Sequence, residues 1–154
     1  MAGFTTAFPT SFKGELPQAV HNFTTTTGNV FYMALGKVTP TGTYGAATTN
    51  YSNLTGNSDE VANGSGYTTG GFAWTAAQNT TPATSGTGAY WSWSVNPSWT
   101  SASFSTVGCI IYNSTASNKA VYVGSFGGTQ TVTSGTLTVI LPANAVSTSI
   151  LQIN

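Results

Sequence analysis

Acid–base, nucleophilic or metal chemistry would fall in this 154-residue sequence to three carboxylates, one histidine and one cysteine: Glu15, Asp59, Glu60, His21 and Cys109. Hydrolysis and group transfer need a positioned acid, base or nucleophile. Asp59 and Glu60 are adjacent, so on an extended chain their side chains leave by opposite faces and form no paired-carboxylate site by themselves. Glu15 reaches either of them only through the tertiary fold. His21 follows a candidate helix; a Ser–His–acid triad could use it, but a helix C-terminus also favours a cation without any catalysis. These ligand types nowhere fall at a metal-site spacing. Cys109 sits in the apolar run Val107–Tyr112 and reads as a small buried hydrophobe. The Gly-rich stretches GSGYTTGG and GTGAYW lack the lysine and helix that follow a phosphate loop, so they read as turns. No catalytic residue, cofactor or metal is expected.

Charge is scarce throughout. Six residues carry one (Lys13, Lys37, Lys119, Glu15, Asp59 and Glu60), there is no arginine, and the formal net charge is zero. That is 4% charged, against roughly 25% in an ordinary soluble domain. With three lysines, binding to a phosphate backbone has no electrostatic basis, so no nucleic-acid partner is expected. A neutral chain associates more readily than a charged one, and its contacts are little screened by salt. Hydrophobic residues make up 40% and aromatic residues 12%, which argues for a folded chain. No apolar run approaches the length of a membrane helix, and the first residues lack the basic and apolar regions of a secretory leader.

The aromatic residues are the other chemistry-bearing group. Tyr90, Trp91, Trp93 and Trp99, with Trp74, could form a platform that stacks on sugar rings. They could equally fill the core, or centre a protein interface, where Trp and Tyr are enriched.

The elements that must position these residues read as follows. Residues 1–12 form an extended arm carrying Phe4, Phe8 and Phe12, with Pro9 arguing against a helix. Residues 13–22 read as one short helix starting near Gly14, with Pro17 in its first turn. From residue 29 the pattern turns to strands. Residues 29–38 read as a central strand covered on both faces. Residues 39–58 form a long loop, 59–62 a short strand, and 72–77 and 90–95 further strands. In the last of these, Trp91 and Trp93 face one way and Ser92 and Ser94 the other. Residues 99–104, 107–112, 120–126, 136–141 and 150–153 complete the set, with a turn over 113–119 and a tight turn at Gly127–Gly128. The expectation is an all-β fold, mainly an antiparallel β-sandwich or jelly-roll-like, with one short N-terminal helix. Residues 1–28 form the arm and helix, and 29–154 a single sandwich domain.

Three segments in this order (FKGELPQAVHNF with NVFYMALGKV, then GSGYTTGG, then CIIYNSTASNKAVYVGSFGGTQTVTSGTLTVILPANAVSTSILQIN) resemble a group of tailed-phage virion structural proteins. The resemblance spans most of the chain, and its motifs are structural. It implies a non-enzymatic virion component: a capsid decoration or cement protein that binds the major capsid protein lattice, made in the host cytoplasm and carried on the capsid surface. A tail or connector component is the alternative, and a glycan-binding surface module using the Trp/Tyr platform is a second. The resemblance also implies a homo-oligomer, dimer or trimer. Candidate capsid contacts are Phe4, Phe8 and Phe12 on the arm and Tyr44 and Tyr51 in the 39–58 loop; the three Phe residues could instead pack on their own domain.

Overall fold

A computed structural model describes residues 2–153. The chain forms a mostly-β fold of strands β1 (Gly3–Phe4), β2 (Phe31–Lys37), β3 (Thr43–Tyr44), β4 (Phe72–Trp74), β5 (Ala83–Ser85), β6 (Gly88–Trp91), β7 (Ser98–Asn113), β8 (Lys119–Thr138) and β9 (Leu151–Ile153). Its helices are short: α1 (Thr10–Glu15), α2 (Ser52–Gly56) and a 3-10 turn at Ala76–Gln78.

The central sheet runs β4-β2-β7-β8, every pair antiparallel. Its register places Phe31, Met33, Leu35, Cys109 and Ile111 on one face and Ala34, Ile110 and Tyr112 on the other. β2 is apolar at nearly every position because both faces are covered. The first face carries the antiparallel sheet β5-β6-β9 and α1, through Trp91, Leu151 and Phe12. The second carries the parallel pair β1-β3 and α2, through Tyr44, Leu54 and the half-buried Phe4 and Tyr51. The expected sandwich is therefore a four-stranded sheet with unequal covers on its two sides.

The β7–β8 hairpin outruns its neighbours, since β2 pairs only with the Thr106–Asn113 part of β7. Its outer half is bulged: Phe126–Thr129 of β8 lie opposite Val107 alone, and further register shifts fall at Trp99/Ala102 and Ala102/Phe104. Ser101, Gly127 and Ser134 take positive φ (51°, 74° and 48°) at these points. Bulges bend strands, and here Trp99, Ala102, Phe104, Leu137 and Val139 join the same core as Met33 and Leu35.

Several sequence expectations are corrected. The helix is Thr10–Glu15, not 13–22. Pro9 stands at its N-cap with φ −53° and ψ 143°, a position where proline's fixed φ and missing N–H cost nothing. It starts the helix instead of forbidding it. A second helix, α2, lies inside the expected loop. The segments 99–104 and 107–112 are one strand, and the Gly127–Gly128 turn is a bulge within β8. The 39–58 loop and the arm both pack on their own chain.

The arm is locked by missing side chains. A Cβ on Gly36 would stand 2.1 Å from Phe4 Cζ, and one on Gly108 2.5 Å from Phe4 Cγ. The Phe4 ring lies in the space these glycines leave and stacks on Tyr44 at 4.7 Å between centroids. Gly36→Ala is therefore expected to lower stability by about 1–3 kcal/mol through overpacking. By contrast, Gly14→Ala, in α1 with nothing within 4 Å of the new methyl, should raise stability by roughly 0.5–1 kcal/mol. Urea denaturation reads both, and equal midpoints for the two variants would contradict the cradle.

Candidate functional site

All three carboxylates are engaged as internal pins. Asp59 is fully buried and accepts hydrogen bonds from the Thr41 amide (2.9 Å), the Gly42 amide (2.7 Å) and the Tyr44 hydroxyl (2.6 Å). Lys37 Nζ lies 3.1 Å from its Oδ1. Burial pushes this carboxyl up, but the donors outweigh it and hold it well below the ordinary carboxylate range. The neighbouring Glu60 turns the other way, as adjacent residues on an extended run must. It accepts from Tyr51 (2.5 Å), Tyr67 (2.7 Å) and the Gly70 amide (2.7 Å). Tyr67 in turn accepts from the Leu35 amide of β2 at 3.0 Å. Asp59 thus fixes the 41–44 segment, and Glu60 fixes the α2 entry and the GSGYTTGG turn. That turn needs its glycines: Gly71 has φ +83°, and a Cβ there would meet Met33 O at 1.9 Å.

Glu15 forms the third pin. Its Oε1 lies 2.5 Å from Lys119 Nζ and its Oε2 lies 2.8 Å from His21 Nε2. His21 Nδ1 is 3.0 Å from Asn113 Nδ2, and that amide also donates to Asn29 Oδ1 at 2.8 Å. A neutral imidazole with its proton on Nε2 satisfies both neighbours. The cluster ties α1 and the segment after it to the turn end of the β7–β8 hairpin. His21 thus bonds a carboxylate and an amide, and it does not cap α1, which ends at Glu15. Among the described residues, Lys13 is the one side-chain charge with neither an ion-pair nor a hydrogen-bond partner. Among them, too, no group of three His, Cys, Asp or Glu side chains could hold a metal ion.

The aromatic residues lie mostly inward. Trp74, Trp91, Trp93 and Trp99 are 0%, 3%, 5% and 6% exposed, and Tyr90 is half-buried. Trp74 stacks on Trp93 at 4.5 Å, and Trp91 meets Trp93 edge-on at 4.5 Å. The Trp74 and Trp91 indoles donate to Val95 O and Thr80 O, both at 2.8 Å. Ser92, expected on the solvent face, is fully buried: its hydroxyl accepts from the Ile150 amide at 2.9 Å and its carbonyl accepts from Thr80 Oγ1. Thr80 and Ile150, the residue before β9, enclose it. Of the candidate capsid contacts, Phe12 and Tyr44 are 1% exposed, while Phe4, Phe8 and Tyr51 are half-buried. Phe8 packs between Phe12 and Tyr122 at 5.6 and 5.3 Å, and Tyr51 stacks on Tyr112 at 4.3 Å. The structure brings Phe8 with Phe12, and Phe4 with Tyr44, into two separate cores on opposite faces of the sheet. Cys109 is buried, and burial pushes its thiol up to about 12, leaving it in the unreactive form.

Sequence reasoning missed the pinning role of the carboxylates. A signal was present for two of them: Asp59 and Glu60 lie between stretches rich in tyrosine and glycine, which supply Gly42, Tyr44, Tyr51, Tyr67 and Gly70 as donors. Comparison with family models, with curated proteins and with solved structures returns no match for this chain.

Two outcomes follow from these pins. Asp59→Ala takes the acceptor from two amides and the Tyr44 hydroxyl and leaves Lys37 only Ser58 O; it is expected to cost about 3–5 kcal/mol, read by denaturant midpoint, and a change within about half a kilocalorie would show that the pin is dispensable. The second concerns acid. Burial pushes the His21 imidazole below its ordinary value, against the upward pull of Glu15. The unfolded chain then binds more protons than the folded one, so stability falls as pH drops below about 6.5. Burial raises Glu15, but hydrogen bonds from Lys119 and His21 outweigh it and hold it below its ordinary value. With Asp59 it adds stability that is complete above the ordinary carboxylate range and lost as pH falls through the folded value. Urea titrations across about pH 3–8 should show two successive declines. His21→Gln should abolish the upper one and leave the lower.

Proposed function

We propose that this chain is a non-enzymatic structural component of a phage particle, a decoration or cement protein that binds the major capsid protein lattice and reinforces it. The observation that carries this reading is the fate of the charges. Five of the six sit in internal ion pairs or hydrogen bonds, and Lys13 stands free of them among the described residues. What faces water is a surface of Thr, Ser, Asn and Gly. Such a surface offers hydroxyl and amide hydrogen bonds, apolar edges and backbone pairing, repeated over many identical contacts. A component that binds only the assembled lattice stabilises it by mass action. The sequence segments that resemble tailed-phage virion proteins give the particle its identity in this reading.

Of the expected contacts, Phe4, Phe8 and Tyr51 are half-buried and keep part of their surface. Phe12 and Tyr44 belong to the chain's own core, so lattice binding falls to the neutral surface. Because the four indoles are inside, the aromatic cluster keeps only the half-buried Tyr90 at the surface, and the glycan reading loses its stacked platform.

Gel densitometry of purified particles against the major capsid protein tests the assignment. Copies on the scale of the capsid subunits support decoration. A few per particle indicate a tail or connector station, and absence from particles overturns the reading. Washing particles in about 1 M salt, where the Debye length is roughly 3 Å, should leave the protein bound at neutral pH; release at that step would mean that charge carries the contact.

A further inference from the structure

The outer half of β8 is an open sheet edge. β8 is the terminal strand of the central sheet. Its inner half is closed on the outside by the chain itself: Ala7 and Val123 exchange amide-to-carbonyl bonds of 2.9 Å in both directions, and the Ala120 amide donates to Thr49 O at 3.0 Å. Ser125 marks the end of this cover, its amide donating to Thr6 Oγ1. From Phe126 to Thr138, among the described residues, no backbone group bonds to any segment outside the β7–β8 hairpin. Residues 127–131 are all exposed, so neither face of the strand is covered there.

Natural edges are protected against pairing with other chains by charged side chains, proline, brevity, or bulges that twist the edge away. The run 126–138, FGGTQTVTSGTLT, has no charge and no proline. Its two bulges, at Gly127 and Ser134, leave a regular stretch between them that pairs in unbroken register with β7 at Gln130, Thr131 and Val132. Beside the edge lies an open groove of about 330 Å³ lined by Phe126, Gln130, Leu137 and Ile140, again uncharged, with Ile140 73% exposed.

We propose that this edge is a self-association surface: two copies of the chain pair antiparallel through the Thr129–Thr133 stretch of β8 about a two-fold axis. Such a pairing is isologous, the same stretch meeting itself across the axis, and closes both open edges at once. The chemistry is compatible with its own copy. The formal net charge is zero, so identical copies do not repel. Threonine already pairs across strands here, Thr131 with Ser105 at 2.8 Å and Thr138 with Ser98 at 3.0 Å, and Thr–Thr pairs stabilise antiparallel partners. The adjoining grooves add apolar area at each end of the shared ladder. This proposal does not rest on the virion reading.

Sedimentation velocity of the full chain, with light scattering for mass, tests it. At about 100 μM, well above the micromolar constants of modest interfaces, the protein should run at twice its 15.8 kDa and return to one copy on dilution. In the two-fold pairing, residue 129 of one copy lies beside residue 133 of the other. Thr129→Lys with Thr133→Lys therefore sets like charges opposite each other, and this doubly substituted chain should stay monomeric with an unchanged circular dichroism spectrum and melt. Thr81→Lys with Thr87→Lys, two exposed positions around β5, adds the same charge elsewhere and should leave the dimer intact. A monomeric wild type, a dimer that survives the edge substitutions, or a dimer lost equally in the control overturns the proposal. A monomer that is nonetheless abundant in particles rejects the self-pairing alone; a dimer absent from particles rejects the virion reading alone.

Discussion

Two adjacent carboxylates set the terms for the rest of the molecule. Asp59 and Glu60 run beside β2, where the Lys37 amide donates to Asp59 O and the Val61 amide to Leu35 O. Their side chains leave in opposite directions and gather the donors of two irregular segments. Loops contribute little apolar area, and the cost of ordering them is mostly entropy. A buried anion surrounded by amides and phenols offsets that cost with short, charge-assisted bonds. In a chain with so few charges, each is more valuable inside than on the surface. The same arrangement explains why the tyrosines cluster near the acids: Tyr44, Tyr51 and Tyr67 each supply a phenol donor and a flat apolar body.

Around these pins the sheet is finished by shape. Glycines leave room for Phe4, indoles fill the space beneath β6 and β9, and bulges fold the long hairpin over its own core. The polar surface and the crowded interior are two aspects of one composition. Threonine serves the strands outside, where its branch fits the pleat and its hydroxyl stays wet.

Legibility in the sequence followed the range of the interactions. β2 was readable because its apolar run is local, and so was the 113–119 turn between two such runs. The mostly-β class followed from the spacing of these elements. The helix boundary was not readable from Pro9, because proline both forbids a helix interior and favours a helix start. Gly127–Gly128 read as a turn because a bulge demands the same positive φ as a turn; what separates them is whether β7 continues alongside. The arm's phenylalanines were ambiguous for a stronger reason. Phe8 and Phe12 pack partly on each other, but Phe4 rests on Gly36 and Gly108 and Phe8 on Tyr122, all distant in the chain, and no local pattern says that a cavity awaits them. The carboxylate pins were hidden likewise: spacing showed that Asp59 and Glu60 diverge, but not what each meets.

The N-terminal arm carries a consequence for the order of events during synthesis. Phe4 rests between Gly36 and Gly108, and Ala7 zips onto Val123. Residues 4–7 therefore have no finished berth until the chain as far as Val123 has been made. Until that point Phe4 lacks the space it fills in the finished fold, and exposed apolar surface at such a stage is prone to stray association. The arm is a clasp that closes only on a formed β2–β7–β8 sheet.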